Sequence, residues 1–211
     1  MTLHESPHTT RERRQRADGR RSRDTILDAA ARLATVEGLD GLSIGNLAAQ
    51  TGMSKSGLYA HFMSKEELQL ATIDRATEIF DAEVLEPARA RGEGLRLLWG
   101  LADGFISYLE RDVFPGGCFF AAVGSEFSSR PGRVKERVAS FTAEWLQELE
   151  AAAAQAQAAG ELPASIEPPQ IAYEVDALLL MAHAAYTTFG DPAVLERSRR
   201  GLERLLGSRP V

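Results

Sequence analysis

The chain has 211 residues, of which 44% are apolar and 26% charged, as is typical of one or two globular domains. No apolar run approaches the ~18–20 residues that a membrane span needs, and the first residues contain no apolar core of a signal peptide. The single cysteine, Cys118, excludes an intramolecular disulfide framework and fits a reducing compartment, so a cytoplasmic location is expected.

Charge is distributed unevenly along the sequence. The formal net charge is −6, but residues 1–65 carry 10 basic and 7 acidic side chains, whereas residues 66–211 carry 14 basic and 23 acidic ones. This asymmetry favours a basic module that binds a polyanion, joined to an acidic body. A solvated arginine-rich tail without a partner is the alternative, so charge alone is weak evidence for nucleic acid.

Helical periodicity begins near Arg23. Residues 1–22 lack this periodicity and are rich in Arg, Ser, Thr and His, so we predict a disordered basic arm there. Apolar residues then recur at helical spacing from Ile26 to Val36, and Gly38 favours an end to this first helix.

Two short helices with a tight turn between them are predicted next. Ser43 is a favourable N-cap for the second helix, and Gly52 follows its last turn, where a left-handed residue is preferred. Ser54 caps a third helix that carries apolar residues as far as Phe62. The arrangement predicts a helix-turn-helix.

The rest of the chain is also predicted to be helical, which makes the fold class all-α. Ser64 and Glu67 form a capping box at the start of a long fourth helix that runs towards Pro87. No strand-like alternation and no internal repeat is found. The remaining helices are predicted at Leu95–Glu110, Cys118–Phe127, Arg133–Gly160, Ile171–Phe189 and from Asp191 to Leu206.

Residues 42–65 carry the functional information. The outward face of the predicted third helix is small or polar, so this helix can enter a DNA major groove without a clash. Lys55 can reach a guanine edge or a phosphate. Ser54, Ser56 and the free amides at the helix N-terminus can donate to phosphate oxygens.

Several neighbouring residues have both a DNA-binding and a structural interpretation. Tyr59 is either a phosphate donor or a half-buried core residue, and the DNA role is favoured by its neighbours. His61 alone would more often be structural, but within this motif a phosphate contact is favoured. Arg20, Arg21 and Arg23 either reach the flanking minor groove or backbone, or are simply solvated.

Residues 23–70 resemble the N-terminal domain of the TetR family of bacterial transcriptional regulators. The resemblance implies a helix-turn-helix DNA-binding domain over residues 23–66 and a helical ligand-binding and dimerisation domain over residues 67–207. The matched positions are Leu42-Ser43, Leu47-Ala48, Gly52-Met53-Ser54-Lys55, Leu58-Tyr59, His61-Phe62 and Ser64-Lys65-Glu66-Glu67-Leu68.

The resemblance also implies roles for individual residues. Ser43 and Lys65 should contact phosphates, and Tyr59 and His61 should hold the DNA backbone. The base-facing start of the recognition helix then consists of Lys55, Ser56 and Gly57.

The helices between Leu95 and Phe189 carry most of the aromatic residues and can line an apolar pocket. The resemblance implies such a pocket for a small-molecule effector without assigning its side chains. For each candidate, the alternative is a core residue or a polar group that reaches solvent. Cys118 is interpreted as a small buried residue in preference to a redox sensor. The candidates are Trp99, Asp103, Phe120, Glu126, Trp145 and His183.

The last two predicted helices favour a homodimer. Ile171–Phe189 is too apolar to leave a face in water, and Val194 to Leu206 carry an apolar stripe. Two such helices from each subunit would form a four-helix interface, unless they only complete the monomer core. The dimer would bind a palindromic double-stranded operator, and the effector would release it.

The alternatives to a regulator are an enzyme and a helical protein without DNA function. An enzyme is disfavoured because no phosphate-binding glycine loop, metal-ligand cluster or Ser/His/Asp arrangement has interpretable spacing, although scattered residues can meet in space. No cofactor and no metal are therefore expected. A helical ligand-binding or scaffold protein without DNA function is disfavoured by Lys55, Tyr59, His61 and Lys65.

Overall fold

The computed structural model describes the backbone of residues 7–210 and the side chains from Arg21 onward. All regular elements within this range are helical, which confirms the all-α class. None of the helices so described is long and apolar enough to cross a membrane. The α-helices are α1 (Pro7–Glu37), α2 (Ile44–Thr51), α3 (Lys55–Tyr59), α4 (Lys65–Phe80), α5 (Glu86–Arg89), α6 (Gly94–Glu110), α7 (Phe119–Phe127), α8 (Arg133–Ala158), α9 (Pro168–Phe189) and α10 (Ala193–Leu206).

Helix α1 begins well before the predicted start near Arg23. The prediction of a disordered arm is wrong for residues 7–22, which are helical, and residues 1–6 lie outside the described part of the chain. Pro7 occupies the first helical position, where its missing N–H group costs nothing. The Arg, Glu, Gln and Ala residues that follow have high helix propensity, so the helix forms there without apolar periodicity.

The predicted helix-turn-helix is present. Gly52 has φ 66°, the left-handed conformation expected at the turn after α2. Helix α3 ends at Tyr59 and not at Phe62, because the chain turns there towards α4. The side chain of Phe62 is nevertheless buried, in an apolar core that α1, α2 and α3 share through Ile26, Leu47 and Leu58.

Helices α4 and α5 are joined by a single π-helical turn over Asp81–Leu85. Pro87 is the second residue after this turn and has no N–H group for the carbonyl four residues earlier, so the α register cannot continue through it. The N–H of Glu86 instead donates to the carbonyl of Asp81. Helix α6 passes so close to α5 that a Cβ atom on Gly100 would lie 3.1 Å from the Cα of Ala88.

Helices α4 to α10 form a bundle around a cluster of aromatic rings. Helix α8 packs against α4, α6, α7 and α9, and α10 packs on α9. Phe80, at the end of α4, lies at the centre of this cluster. Its ring contacts those of Phe105, Tyr108, Phe120, Phe141 and Trp145 at centroid distances of 5.2–6.3 Å.

Candidate nucleic-acid interface and ligand cavity

A groove of about 420 Å³ lies between the N-termini of α2 and α4 and one side of α3. It brings together Ser43, Lys55, Tyr59 and Lys65, which the sequence assigned to DNA binding. Both helix N-termini at this groove present free backbone N–H groups and a partial positive charge. The groove therefore has the electrostatic character of an anion-binding site.

Serine caps position the two helices of the motif. The hydroxyl oxygens of Ser43 and Ser54 accept hydrogen bonds, each 3.1 Å long, from the N–H groups of Asn46 and Gly57. The hydroxyl of Ser54 also lies 3.1 Å from that of Ser56. Because capping uses a lone pair and not the O–H group, the Ser43 hydroxyl can still donate to an external acceptor.

The side chains of α3 and of the turn that follows it divide between the core and the surface. Leu58 is buried, whereas the adjacent Tyr59 is 63% exposed and presents its side chain to solvent at the groove. His61 is half-buried, with its ring 6.4 Å from that of Phe62. The guanidinium of Arg23 lies over the Phe62 ring, 5.0 Å from its centroid, and so stands beside the motif.

Lys65 is held by an acidic partner within the protein. Its ammonium donates to the backbone carbonyl of Asp40 and, at 2.8 Å, to the carboxylate of the same residue. Arg130 donates to the other carboxylate oxygen of Asp40 at 2.8 Å. These two cations hold the pKa of Asp40 below its ordinary value. Lys65 thus lines the groove with two of its three donors already engaged.

A second cavity, of about 320 Å³, lies in the helical bundle and contains two of the predicted ligand-binding residues, Phe120 and Trp145. The indole N–H of Trp145 donates to Oδ1 of Asp176 at 2.8 Å. Burial raises the pKa of Asp176, and the Trp145 hydrogen bond opposes that rise. The cavity is lined by Phe80, Phe105, Cys118, Phe120, Ala121, Gly124, Ser125, Phe141, Thr142, Trp145, Asp176 and Leu180.

The other four predicted ligand-binding residues lie elsewhere. Trp99 and Asp103 line a separate recess of about 280 Å³, where the guanidinium of Arg209 covers the Trp99 ring at 4.5 Å and pairs with Asp103 at 3.1 Å. His183 accepts a hydrogen bond of 3.1 Å at Nδ1 from the N–H of Cys118, and burial lowers the pKa of this histidine.

Glu126 is the fourth of these residues and lies at the junction with the helix-turn-helix. Its two carboxylate oxygens accept hydrogen bonds of 2.8 Å from the backbone N–H groups of Leu39 and Asp40. The same helix, α7, contributes Phe120 and Gly124 to the cavity wall. One short helix therefore contacts both the cavity and the loop between α1 and α2.

Sequence reasoning missed several residues of the cavity. Phe80, Phe105 and Phe141 line the cavity, but an aromatic residue in a helix can equally be a core residue, so the sequence does not single them out. Asp176 could have been identified as a candidate from the sequence, since it is a carboxylate within the apolar helix α9. Cys118 is buried and its pKa is raised to about 11 by desolvation, which disfavours the reactive thiolate.

Comparison with known proteins agrees with this architecture. Residues 26–72 match the family described as bacterial regulatory proteins, tetR family, and residues 94–202 match the tetracyclin repressor-like C-terminal domain. The HTH-type transcriptional repressor ComR of Escherichia coli (strain K12) is 31% identical over 145 residues, which cover 67% of this chain and 68% of ComR.

Solved structures show the same fold. A TetR transcriptional regulator from Chloroflexus aurantiacus J-10-FL has a TM-score of 0.81 and 27% identity, with 88% of this chain and 94% of that chain covered. AibR in complex with isovaleryl coenzyme A and operator DNA has a TM-score of 0.68 and 22% identity, with 86% and 96% covered. The chain belongs to the TetR family of transcriptional regulators, and the predicted resemblance is confirmed.

Proposed function

We propose that this regulator is a repressor that binds a palindromic operator as a homodimer and is released by a small molecule. The observation that carries the proposal is the groove in which Ser43, Lys55, Tyr59 and Lys65 meet at two helix N-termini. Two relatives support it: ComR is named as a repressor, and AibR was solved with isovaleryl coenzyme A and operator DNA.

The groove suits a phosphate of the DNA backbone, while the first turn of α3 suits the edges of bases. Backbone N–H groups, serine hydroxyls and the Tyr59 hydroxyl donate to phosphate oxygens and fix the register on the duplex. Lys55 and Ser56 are exposed at the start of α3, next to Gly57, which adds no bulk. We assign direct base contacts to this turn and backbone contacts to Arg23, His61 and the other residues of the motif.

Dimerisation is supported by an apolar stripe on the surface of α9. Tyr173, Ala177, Met181 and Ala184 are exposed at helical spacing, and Met181 is 59% exposed. A groove between α9 and α10, where Leu178 packs against Gly201, adjoins this stripe. A second copy that covers this stripe would form a two-fold dimer. Such a dimer binds a palindrome when its two recognition helices lie roughly 34–36 Å apart, in successive major grooves.

Release requires that the effector favours a state with weaker DNA affinity. We assign the cavity around Trp145 as the effector site and α7 as the coupling element. Helix α7 forms one cavity wall and carries Glu126 in its last turn, which binds the loop at Leu39 and Asp40. A shift of α7 on ligand binding would alter the contacts of this loop. Asp40 in turn holds Lys65 at the DNA groove.

The experiment is a titration of the dimer with a palindromic duplex selected from a random pool, and with a scrambled duplex, over a series of salt concentrations. We expect a preference for the palindrome and a steep loss of affinity with salt. Lys55→Ala should weaken palindrome binding by ~1–3 kcal/mol if Lys55 contacts a base.

Lys135→Ala is the matched control, because Lys135 is an exposed lysine of α8 that does not line the groove and binds the carbonyl of Ser128. Equal affinity for both duplexes, with no effect of Lys55→Ala, would contradict the assignment.

A further inference from the structure

We propose that the effector is an amphipathic organic cation, with an apolar body held by the aromatic walls of the cavity and a positive charge paired with Asp176. This inference rests on the proposed role of that cavity as the effector site. It follows from three features: the aromatic lining, the unpaired carboxylate and the acidic surroundings.

The walls of the cavity are aromatic on several sides. Phe80 and Trp145 meet edge to face at a centroid distance of 5.4 Å, and Phe105 stacks against Trp145 at 6.3 Å. Phe120 and Phe141 stack face to face on another side. Aromatic faces carry partial negative charge, so such walls attract both an apolar body and a cation.

Asp176 supplies a carboxylate without a cationic partner. Its Oδ1 accepts the indole N–H of Trp145, whereas no residue that the structure describes forms a hydrogen bond with Oδ2 or an ion pair with Asp176. Burial disfavours its charged form and raises its pKa. A bound cation would offset this desolvation, while an anion would be repelled and a neutral ligand would leave the charge uncompensated.

The neighbouring cavity is acidic as well. A recess of about 380 Å³ shares Phe80, Phe141 and Trp145 with the first cavity. Its lining includes Asp81, Glu144 and Glu148 but a single basic residue, Arg89, which is already bound to Glu148 at 2.8 Å. Carboxylates therefore lie on both sides of the aromatic wall, and their field favours a cation over an anion.

The dimensions indicate a compact ligand. A volume of about 320 Å³ lies near the lower end of the range of ~300–1,000 Å³ typical of small-molecule sites. One ring and a short chain fit such a space. Suitable probes are 4-phenylbutylammonium, 4-phenylbutanol and 4-phenylbutyrate, which share a ring and a short alkyl chain but carry positive, zero and negative charge.

The test is calorimetric titration of the DNA-free dimer with each probe at neutral pH. We expect 4-phenylbutylammonium to bind at least about tenfold more tightly than 4-phenylbutanol, the difference expected for one charge-assisted hydrogen bond. The carboxylate probe should bind most weakly. Equal affinities, a preference for 4-phenylbutyrate, or no binding of the cation at millimolar concentration would overturn the proposal.

The variant Asp176→Asn isolates the charge, because its amide oxygen can still accept the Trp145 hydrogen bond. It should lose about tenfold in affinity for the cation and keep its affinity for 4-phenylbutanol within about twofold. Glu150→Gln, at an exposed position of α8 outside both cavities, removes the same charge and should change neither affinity. If Asp176→Asn weakens both probes equally, Asp176 only maintains the shape of the cavity and the proposal fails.

A second measurement distinguishes failure of the proposed function from failure of the proposed ligand class. Operator binding is measured separately, with and without the cation. Cation binding that depends on Asp176 but leaves operator affinity unchanged would support the ligand class and contradict effector release. Operator release by 4-phenylbutyrate or 4-phenylbutanol, with the cation inactive, would support release and overturn the ligand class.

Discussion

Glu126, in the last turn of α7, binds the backbone of Asp40 with a hydrogen bond of 2.8 Å, although the two residues lie 86 positions apart in the chain. The other carboxylate oxygen binds the N–H of Leu39 at the same distance. Hydrogen bonds to a carboxylate are stronger than those between neutral groups, so this contact ties the loop of the DNA-binding motif firmly to the helical bundle.

The first prediction follows from this contact. Glu126→Ala leaves the N–H groups of Leu39 and Asp40 without their acceptor, so both amides should exchange hydrogen faster than in the unchanged protein. The variant should also be destabilised by ~1–3 kcal/mol and should respond less to the effector, because α7 no longer holds the loop. Amide hydrogen exchange resolved to residues 38–40 measures the first effect.

Glu150→Ala serves as the control for this substitution, since Glu150 is an exposed residue of α8. In Glu150→Ala, the amides of Leu39 and Asp40 should exchange hydrogen as slowly as in the unchanged protein. Unaltered exchange at Leu39 and Asp40 in Glu126→Ala would show that the carboxylate does not hold the loop.

A second prediction concerns the dependence of stability on pH. Lys65 and Arg130 lower the pKa of Asp40 in the folded protein. A group with a depressed folded pKa contributes stability above its unfolded pKa and loses that contribution as the pH falls through the folded value. Asp40→Asn should therefore melt at a lower temperature than the unchanged protein at pH 7, by about 2–4 °C at most because exposed ion pairs contribute little.

The difference in melting temperature between the two proteins should shrink as the pH falls below about 4, where the unfolded carboxyl becomes protonated. Asp24→Asn, at an exposed site on α1, is the control and should melt like the unchanged protein at both pH values. A gap of constant size from pH 7 to pH 3, measured by thermal unfolding, would refute the ionic role of Asp40.

The DNA-binding motif could be predicted from sequence because its signals are local. Ser43, Ser54 and Ser64 each cap the helix that directly follows, and each hydroxyl accepts the N–H three residues later. Gly52 shows the left-handed φ that its position suggested. Such preferences depend on neighbours within one helical turn, so a single sequence contains them.

The ligand cavity could be predicted only in part because its contacts join distant segments. Trp145 and Asp176 lie on different helices, 31 residues apart, and no local pattern pairs them. In the sequence, Glu126 is an acidic residue in an apolar helix, as a ligand-binding acid would be. Its hydrogen bond with the N–H of Leu39 can be seen only in the folded chain. Helix α1 begins earlier than its apolar periodicity predicts. Apolar periodicity marks a buried face, and a helix can extend beyond the face that it buries.

A third prediction tests the dimer. Met181→Asp places a charge on the exposed apolar stripe of α9, where a partner would have to bury it, so the variant should be monomeric at concentrations that keep the unchanged protein dimeric. Met63→Asp is the matched control, because Met63 is 95% exposed and lies at the DNA-binding motif. Light scattering coupled to gel filtration gives the mass. A dimeric Met181→Asp, or a monomeric Met63→Asp, would contradict the assigned interface.

The fourth prediction concerns Phe80, whose ring forms the wall shared by the two cavities of the bundle. Phe80→Ala removes a side chain that is 2% exposed and contacts five aromatic rings. The loss should lower the free energy of unfolding by ~3–5 kcal/mol. Denaturant unfolding at one fixed protein concentration measures it, since dimerisation makes apparent stability depend on concentration.

Tyr59→Ala is the comparison for Phe80→Ala, because it truncates an aromatic ring that is 63% exposed. Its effect on unfolding should stay within about 0.5 kcal/mol. The Phe80 ring also stands between the two cavities, so its removal should merge them and admit a cation with a bulkier ring than 4-phenylbutylammonium. A Phe80→Ala protein as stable as Tyr59→Ala would mean that the aromatic cluster around Phe80 does not form the core from which the cavity is built.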